Sequence, residues 1–148
     1  MVKTTILGKQ KCISLVEDFL NAFVYWTKQT EAPSLSDLNS LLANNFQIKS
    51  NGIIKAKNIK EYLSVVDGFR KKCFNITFPG LEGDPLFSDD RLAIQYNPTF
   101  NDKNGKITQC HMMAIVTFEN EKIALWEEVV SEQGLVPWDR ELMPTEEL

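Results

Sequence analysis

The chain predicts an α+β fold, with a curved antiparallel sheet wrapped around N-terminal helices. Three observations predict it: apolar residues recur at helical spacing in the first half, they alternate with period two from Phe74 onward, and the change happens once. The 148 residues carry 16 Lys plus Arg against 20 Asp plus Glu, a formal charge of −4, and 43% of them are hydrophobic. At this length a chain buries roughly two thirds of its unfolded surface, enough for one core without metals or disulfides. The expected domain spans 1–133, followed by a tail over 134–148.

The first half supplies three helices. In CISLVEDFLNAFVYW, Ile13, Val16, Leu20 and Val24 recur at helical spacing beside Leu15, Phe19, Phe23 and Trp26, with Ser14, Asp18, Asn21, Tyr25 and Lys28 opposite. This helix must stop before Pro33. Ser34 three residues before Asp37 is a capping-box signal, and Leu35, Leu38, Leu41 and Leu42 make a short second helix. NNFQIKS reads as a brief strand. Asn58 with Glu61 repeats the cap before IKEYLSVVDGFRKK, whose Ile59, Leu63, Val66 and Phe69, with Tyr62 alongside, mark a third helix.

The second half reads as strands. FNITF, RLAIQYNPTF, KITQCHMMAIVTF and EKIALWEEVVS are separated by Pro79-Gly80, Gly83-Asp84-Pro85, Asn104-Gly105 and Glu119-Asn120. The final GLVPWDRELMPTEEL is acidic and carries two prolines, as expected of a docking or extended tail.

Two stretches carry a resemblance to a known family. LNSLLANNFQIKSNG is similar to a helix followed by a D-x-F strand and a glycine, and TFENEKIALWEEVVSEQG to an R-F-x-D-G-K-I turn and strand, with Asn120-Glu121 where Asp-Gly is common. Together with the order of elements, over residues 10–133, they resemble the SnoaL-like branch of the nuclear-transport-factor-two (NTF2) superfamily. That branch includes ketosteroid isomerases, scytalone dehydratase and limonene epoxide hydrolase. The resemblance implies a cone whose concave sheet face, lidded by helices, holds an apolar pocket. It also implies that the last strand turns Trp126, Glu128 and Val130 into that pocket.

Strand geometry populates the same face. If Phe118 faces Ile123 across the turn, Ile115 lies opposite Trp126, Met113 opposite Glu128 and His111 opposite Val130. If Asn101 faces Lys106, Tyr96 lies opposite His111 and Ile94 opposite Met113. The expected catalytic set is Glu128, His111 and Tyr96, with Trp126, Val130, Met113, Ile115, Ile94 and Trp26 lining the pocket. His111 and Glu128 would be diagonal neighbours about 7 to 8 Å apart at the backbone, close enough to exchange a proton. A structural reading stays open, in which Glu128 pairs with His111 or a lysine at a wet pocket mouth and Tyr96 is a core phenol.

Several chemistries are set aside. One histidine and three cysteines, Cys12, Cys73 and Cys110, without C-x-x-C spacing suggest neither a metal site nor a disulfide framework, and no cofactor is expected. Phosphate-binding glycine loops and nucleophile-elbow motifs are absent. Net negative charge argues against nucleic acid and anionic membrane, and Arg70-Lys71-Lys72 reads as a solvated helix face. No run reaches the roughly 20 apolar residues of a membrane helix, so a cytoplasmic location is expected. Lys49 and Ser50 stand where the resemblance implies the carboxylate base of ketosteroid isomerases. The Asp–Arg–Asp set of limonene hydrolase is not evident among Arg70, Arg91 and Arg140.

The outer sheet face is read as apolar, with Met112, Ala114, Val116 and Leu125 interrupted by Glu127, and a homodimer through it is expected. Trp138 in the tail is the other candidate to cover it. Three functions follow: cofactor-independent isomerase, cyclase, dehydratase or hydrolase action on a small apolar molecule; non-catalytic binding of one; or a dimeric interaction module.

Overall fold

The computed structural model describes residues 8–72 and 75–132; Cys73, the tail over 134–148 and its Trp138 lie outside the described residues. Helix α1 (Lys9–Thr27) buries Cys12, Leu15, Val16, Phe19, Leu20 and Trp26, the face its apolar spacing defines, and exposes Asn21 and Tyr25. Helix α2 (Leu35–Asn39) begins on the capping box. The Ser34 hydroxyl accepts from the Asp37 amide and the Asp37 carboxylate accepts from the Ser34 amide, each at 3.2 Å, which satisfies donors a helix start leaves open. It is shorter than expected, because Leu42 is already the first residue of β1 (Leu42–Ser50). In α3 (Ile59–Lys71) the Asn58 side chain accepts from the Glu61 amide at 2.8 Å. Arg70 and Lys71 in its last turn both pair with Asp67, so the basic run complements the negative end of the helix.

The strands after β1 are β2 (Ile53–Ala56), β3 (Asn75–Thr77), β4 (Leu81–Ser88), β5 (Arg91–Tyr96), β6 (Thr99–Asn101), β7 (Ile107–Glu119) and β8 (Lys122–Glu132). The sheet order is β2-β1-β8-β7-β5-β4, and β6 pairs with both β3 and β7. The sheet is curved, unclosed and mixed rather than wholly antiparallel, because β1 runs parallel to β8. Asn51 and Gly52, with φ of 51° and 81°, make the two-residue turn between β1 and β2, whose primed geometry needs positive φ at both positions. Two strands were not expected. IIKA is too short to display alternation, and β4 contains Gly83 and Pro85. The β4–β5 register breaks between Glu82 and Leu86, so Pro85 sits where no regular ladder demands its missing amide. RLAIQYNPTF is divided into β5 and β6 at Asn97-Pro98 for the same reason.

Two register differences decide the faces. Phe118 does face Ile123, but Thr117 faces Leu125, which leaves Ala124 as an extra residue on β8. Beyond this bulge Val116 faces Trp126, Ala114 faces Glu128 and Met112 faces Val130. At the other edge of β7 the Asp102 amide donates to the Lys106 carbonyl at 2.9 Å, and Gly105, at φ 83°, closes a three-residue loop. Asn101 therefore faces Ile107, Tyr96 faces Met112 and Ile94 faces Ala114. Each difference moves β7 by one residue, and a one-residue slip exchanges the two faces. Cys110, Met112, Ala114, Val116 and Phe118 are consequently buried under the helices, while His111, Met113 and Ile115 are exposed on the outside. Strands β5 and β8 keep the expected phase.

The core joins α1, α3 and this inner face. Phe19 stacks at 4.9 Å from Trp126 and 5.5 Å from Tyr62, and Phe46 meets Tyr62 edge-on at 5.4 Å.

Candidate functional site

Between α1, α3 and the inner sheet face lies a cavity of about 370 Å³, inside the range of small-molecule sites, roughly 300–1,000 Å³. Its wall is largely aromatic: Phe19 and Phe23 from α1, Tyr62 and Phe69 from α3, and Tyr96, Phe100 and Trp126 from the sheet. The apolar spacing of the helices produces this directly. Ile59, Tyr62, Val66 and Phe69 follow at intervals of three and four, so they share the inner stripe of α3.

Few polar groups interrupt the wall. Trp126 and Glu128 are two residues apart on β8 and so point to the same side, and Ser50 lies beside Glu128 in the β1–β8 ladder. Glu128 Oε1 accepts from Trp126 Nε1 at 2.9 Å and Oε2 accepts from Ser50 Oγ at 3.0 Å, while Tyr96 lies on the same cavity wall, near enough to lower the pKa of that carboxyl. Burial pushes the Glu128 carboxyl above its ordinary pKa, and the donors Trp126, Ser50 and Tyr96 pull against that without cancelling it. The Tyr62 and Tyr96 phenols are both pushed up, by burial first and by the charge of Glu128 second, so both remain protonated. Asn51 braces this part of β8: its amide donates to the Glu128 carbonyl and its side-chain oxygen accepts from the Val130 amide, both at 2.9 Å.

Of the expected site residues, the structure brings Glu128, Tyr96 and Trp126 together on the cavity wall. Val130 is half-buried against the core, and Ile94 and Trp26 are buried within it, all three beside rather than on the wall. His111 is exposed on the outer face with its Nδ1 2.6 Å from Asn97 Oδ1, so no His111–Glu128 pair forms. Met113 and Ile115 are likewise outside, and Met112, Ala114 and Val116, expected outside, are inside; the slip of β7 accounts for all six. Leu125 and Glu127 stay on the outer face. Sequence reasoning missed Tyr62, Ser50, Phe19 and Phe69 as wall residues. The three-four spacing on α3 was the available signal for Tyr62 and Phe69.

Among the described residues, no group of three or more His, Cys, Asp or Glu side chains is disposed to hold a metal ion. Among the described residues Lys55 is the one cation on the cavity wall, and it is exposed. Among the described residues, no helix is long and apolar enough to cross a membrane.

No protein-family profile and no curated protein sequence matches the chain. Solved structures do. An NTF2-like protein from Burkholderia xenovorans LB400 aligns with a TM-score of 0.65 at 13% identity, covering 85% of this chain and 93% of that one. AusH from Aspergillus nidulans aligns with a TM-score of 0.64 at 11% identity, over 85% and 87%. An LEH-like epoxide hydrolase from M. tuberculosis gives 0.61 at 11% identity, over 82% and 84%. The fold is therefore the NTF2-like α+β cone.

Proposed function

We propose that the chain binds a small, largely apolar molecule in the cone and performs cofactor-independent acid–base chemistry on it, with Glu128 as the proton acceptor. One observation carries this reading. Glu128 is a carboxylate set in a largely apolar cavity wall, oriented by Trp126 and Ser50 and shifted upward by burial. A carboxylate with a raised pKa is a stronger base once ionised, and the proton it takes can return to another atom of the same molecule. That sequence of transfers is the outline of an isomerase, cyclase or dehydratase. Among the described residues the cavity wall has one carboxylate and no arginine, which favours proton shuttling over the water activation of an acid–arginine–acid set.

The test begins with a thermal-shift screen of neutral ring compounds, followed by product analysis on those that stabilise the protein. Glu128→Gln keeps the shape and removes the acceptor, so turnover should fall by roughly 10² to 10⁴-fold while the fold is retained. His111→Gln, on the outer face, should leave turnover unchanged. Full activity in the Glu128 variant would reject this carboxylate as the base, and binding without product in the wild type would leave the non-catalytic reading.

A second reading concerns association. Leu86, Met113, Ile115 and Val129 are large apolar residues exposed on the outer side of the sheet, and Lys49 lies beside Glu127 in the same groove. A surface with an apolar centre and charges of both signs at its rim is complementary to a copy of itself turned by two-fold rotation. We propose a homodimer through this face.

A further inference from the structure

Burial gives the cavity a direction. Phe19, Tyr62, Tyr96 and Trp126 are buried and form its floor, Phe23 and Phe69 are half-buried, and Lys55 is exposed. The wall therefore runs from an aromatic floor to a charged rim. The backbone aims Lys55 there. Ser50 and Ile48 both face the cavity; Ile53 pairs with Ser50 and Ala56 with Ile48, and the register shift between Ile48 and Lys49 leaves Lys55 as an extra residue on β2. Ile53 and Lys55 share a side by alternation, and the bulge turns Ala56, fully buried, to that side as well. Among the described residues the Lys55 ammonium has no ion-pair or hydrogen-bond partner, whereas Lys9 and Lys71 pair with Asp84 and Asp67, and Glu128 on the same wall is answered by Trp126 and Ser50.

We propose that the ligand of this cavity is an amphipathic acid, with an apolar ring body on the aromatic floor and one carboxylate at the rim, held by Lys55. The proposal rests on the reading of the cavity as a small-molecule site and adds the charge and orientation of what enters it. A lysine stem can lie along an apolar rim while its ammonium stays in water, so the charge is already at the mouth before a ligand arrives. A carboxylate there gains a charge-assisted hydrogen bond without leaving solvent, and the body behind it gains the burial. One ammonium with no arginine beside it on the wall suits a single negative charge rather than a phosphate, which forked donors grip better.

Three probes with one ring body separate the possibilities: 2-naphthylacetate, its neutral amide and the protonated 2-(2-naphthyl)ethylamine, titrated calorimetrically at neutral pH into wild-type protein and Lys55→Gln. The wild type should bind the acid more tightly than the amide, and the variant should bind the acid roughly fivefold more weakly while holding the amide within twofold, as expected for one partly solvated ion pair. Raising sodium chloride from about 20 mM to about 500 mM should weaken the acid and not the amide in the wild type, a reading that needs no variant. Equal affinity of the folded variant and the wild type for the acid, or a salt response no different from the amide's, would overturn the proposal and leave the cavity as a binding site for neutral molecules. Tighter binding of the amine than of the acid would overturn it in favour of a cation held by Glu128. If none of the three binds, the small-molecule reading of the cavity fails together with the proposal.

Discussion

Glu128 is placed where burial and hydrogen bonding oppose each other, and burial wins. Its folded pKa therefore lies above the unfolded value of about 4.3, and between the two the native protein holds a proton that the unfolded chain has released. By linkage, its contribution to stability is most favourable below the unfolded value and is lost as pH rises through the folded one. Urea unfolding of wild type and Glu128→Gln from about pH 4 to pH 7 should give a stability difference that shifts in favour of the variant as pH rises. A pH-independent difference would mean that the carboxyl is not shifted. Trp126, Glu128 and Tyr96 were legible in the sequence because alternation along a single strand fixes which residues share a side. His111 was misplaced because its side depends on pairing to two neighbouring strands, and each pairing contained a residue that alternation cannot reveal.

The β7–β8 turn holds Asn120 at φ 50° and Glu121 at φ 62°, the left-handed region where a side chain crowds the backbone. The turn geometry demands these angles, and glycine meets them at least cost. Glu121→Gly should stabilise the protein by about 0.5–1 kcal/mol, the relief of strain less the entropy glycine adds to the unfolded chain. Chemical denaturation checks this, and a lower midpoint would show that Glu121 makes a contact worth more than its strain. Turns also explain what the sequence concealed. The capping residues Ser34 and Asn58 announced two helix starts correctly, because a cap is a local hydrogen bond. Strand β4 was hidden because Gly83 and Pro85 mark turns in most settings, and only its irregular pairing with β5 accommodates them.

The α+β class was legible, because it follows from the change in apolar period, whereas the inner cavity was expected from the resemblance alone. The parallel pairing of β1 with β8 was not legible, since it joins segments some 80 residues apart with no local signal. The proposed dimer rests on the same sheet viewed from outside. Leu86 is 74% exposed and Val129 62%, beside Met113 and Ile115. Sedimentation should give a dimer at micromolar concentration, and Val129→Lys should shift it to monomer without unfolding it, since a charge there would be desolvated against its symmetry mate. A stable wild-type monomer would reject the proposal.

A deletion of one codon at Ala124 would remove the extra residue itself and leave the ladder as it is: Phe118 would still face Ile123, Thr117 would face Leu125 and Val116 would face Trp126, so Trp126, Glu128 and Val130 would stay inside. The bulge is thus a store of one residue: a single deletion is absorbed by making the pairing regular, whereas a second would slip the strand and turn Trp126, Glu128 and Val130 to the outside. A lineage carrying this strand can lose its bulge without losing its lining, and sequence comparison must allow one gap here before any residue is matched to the site.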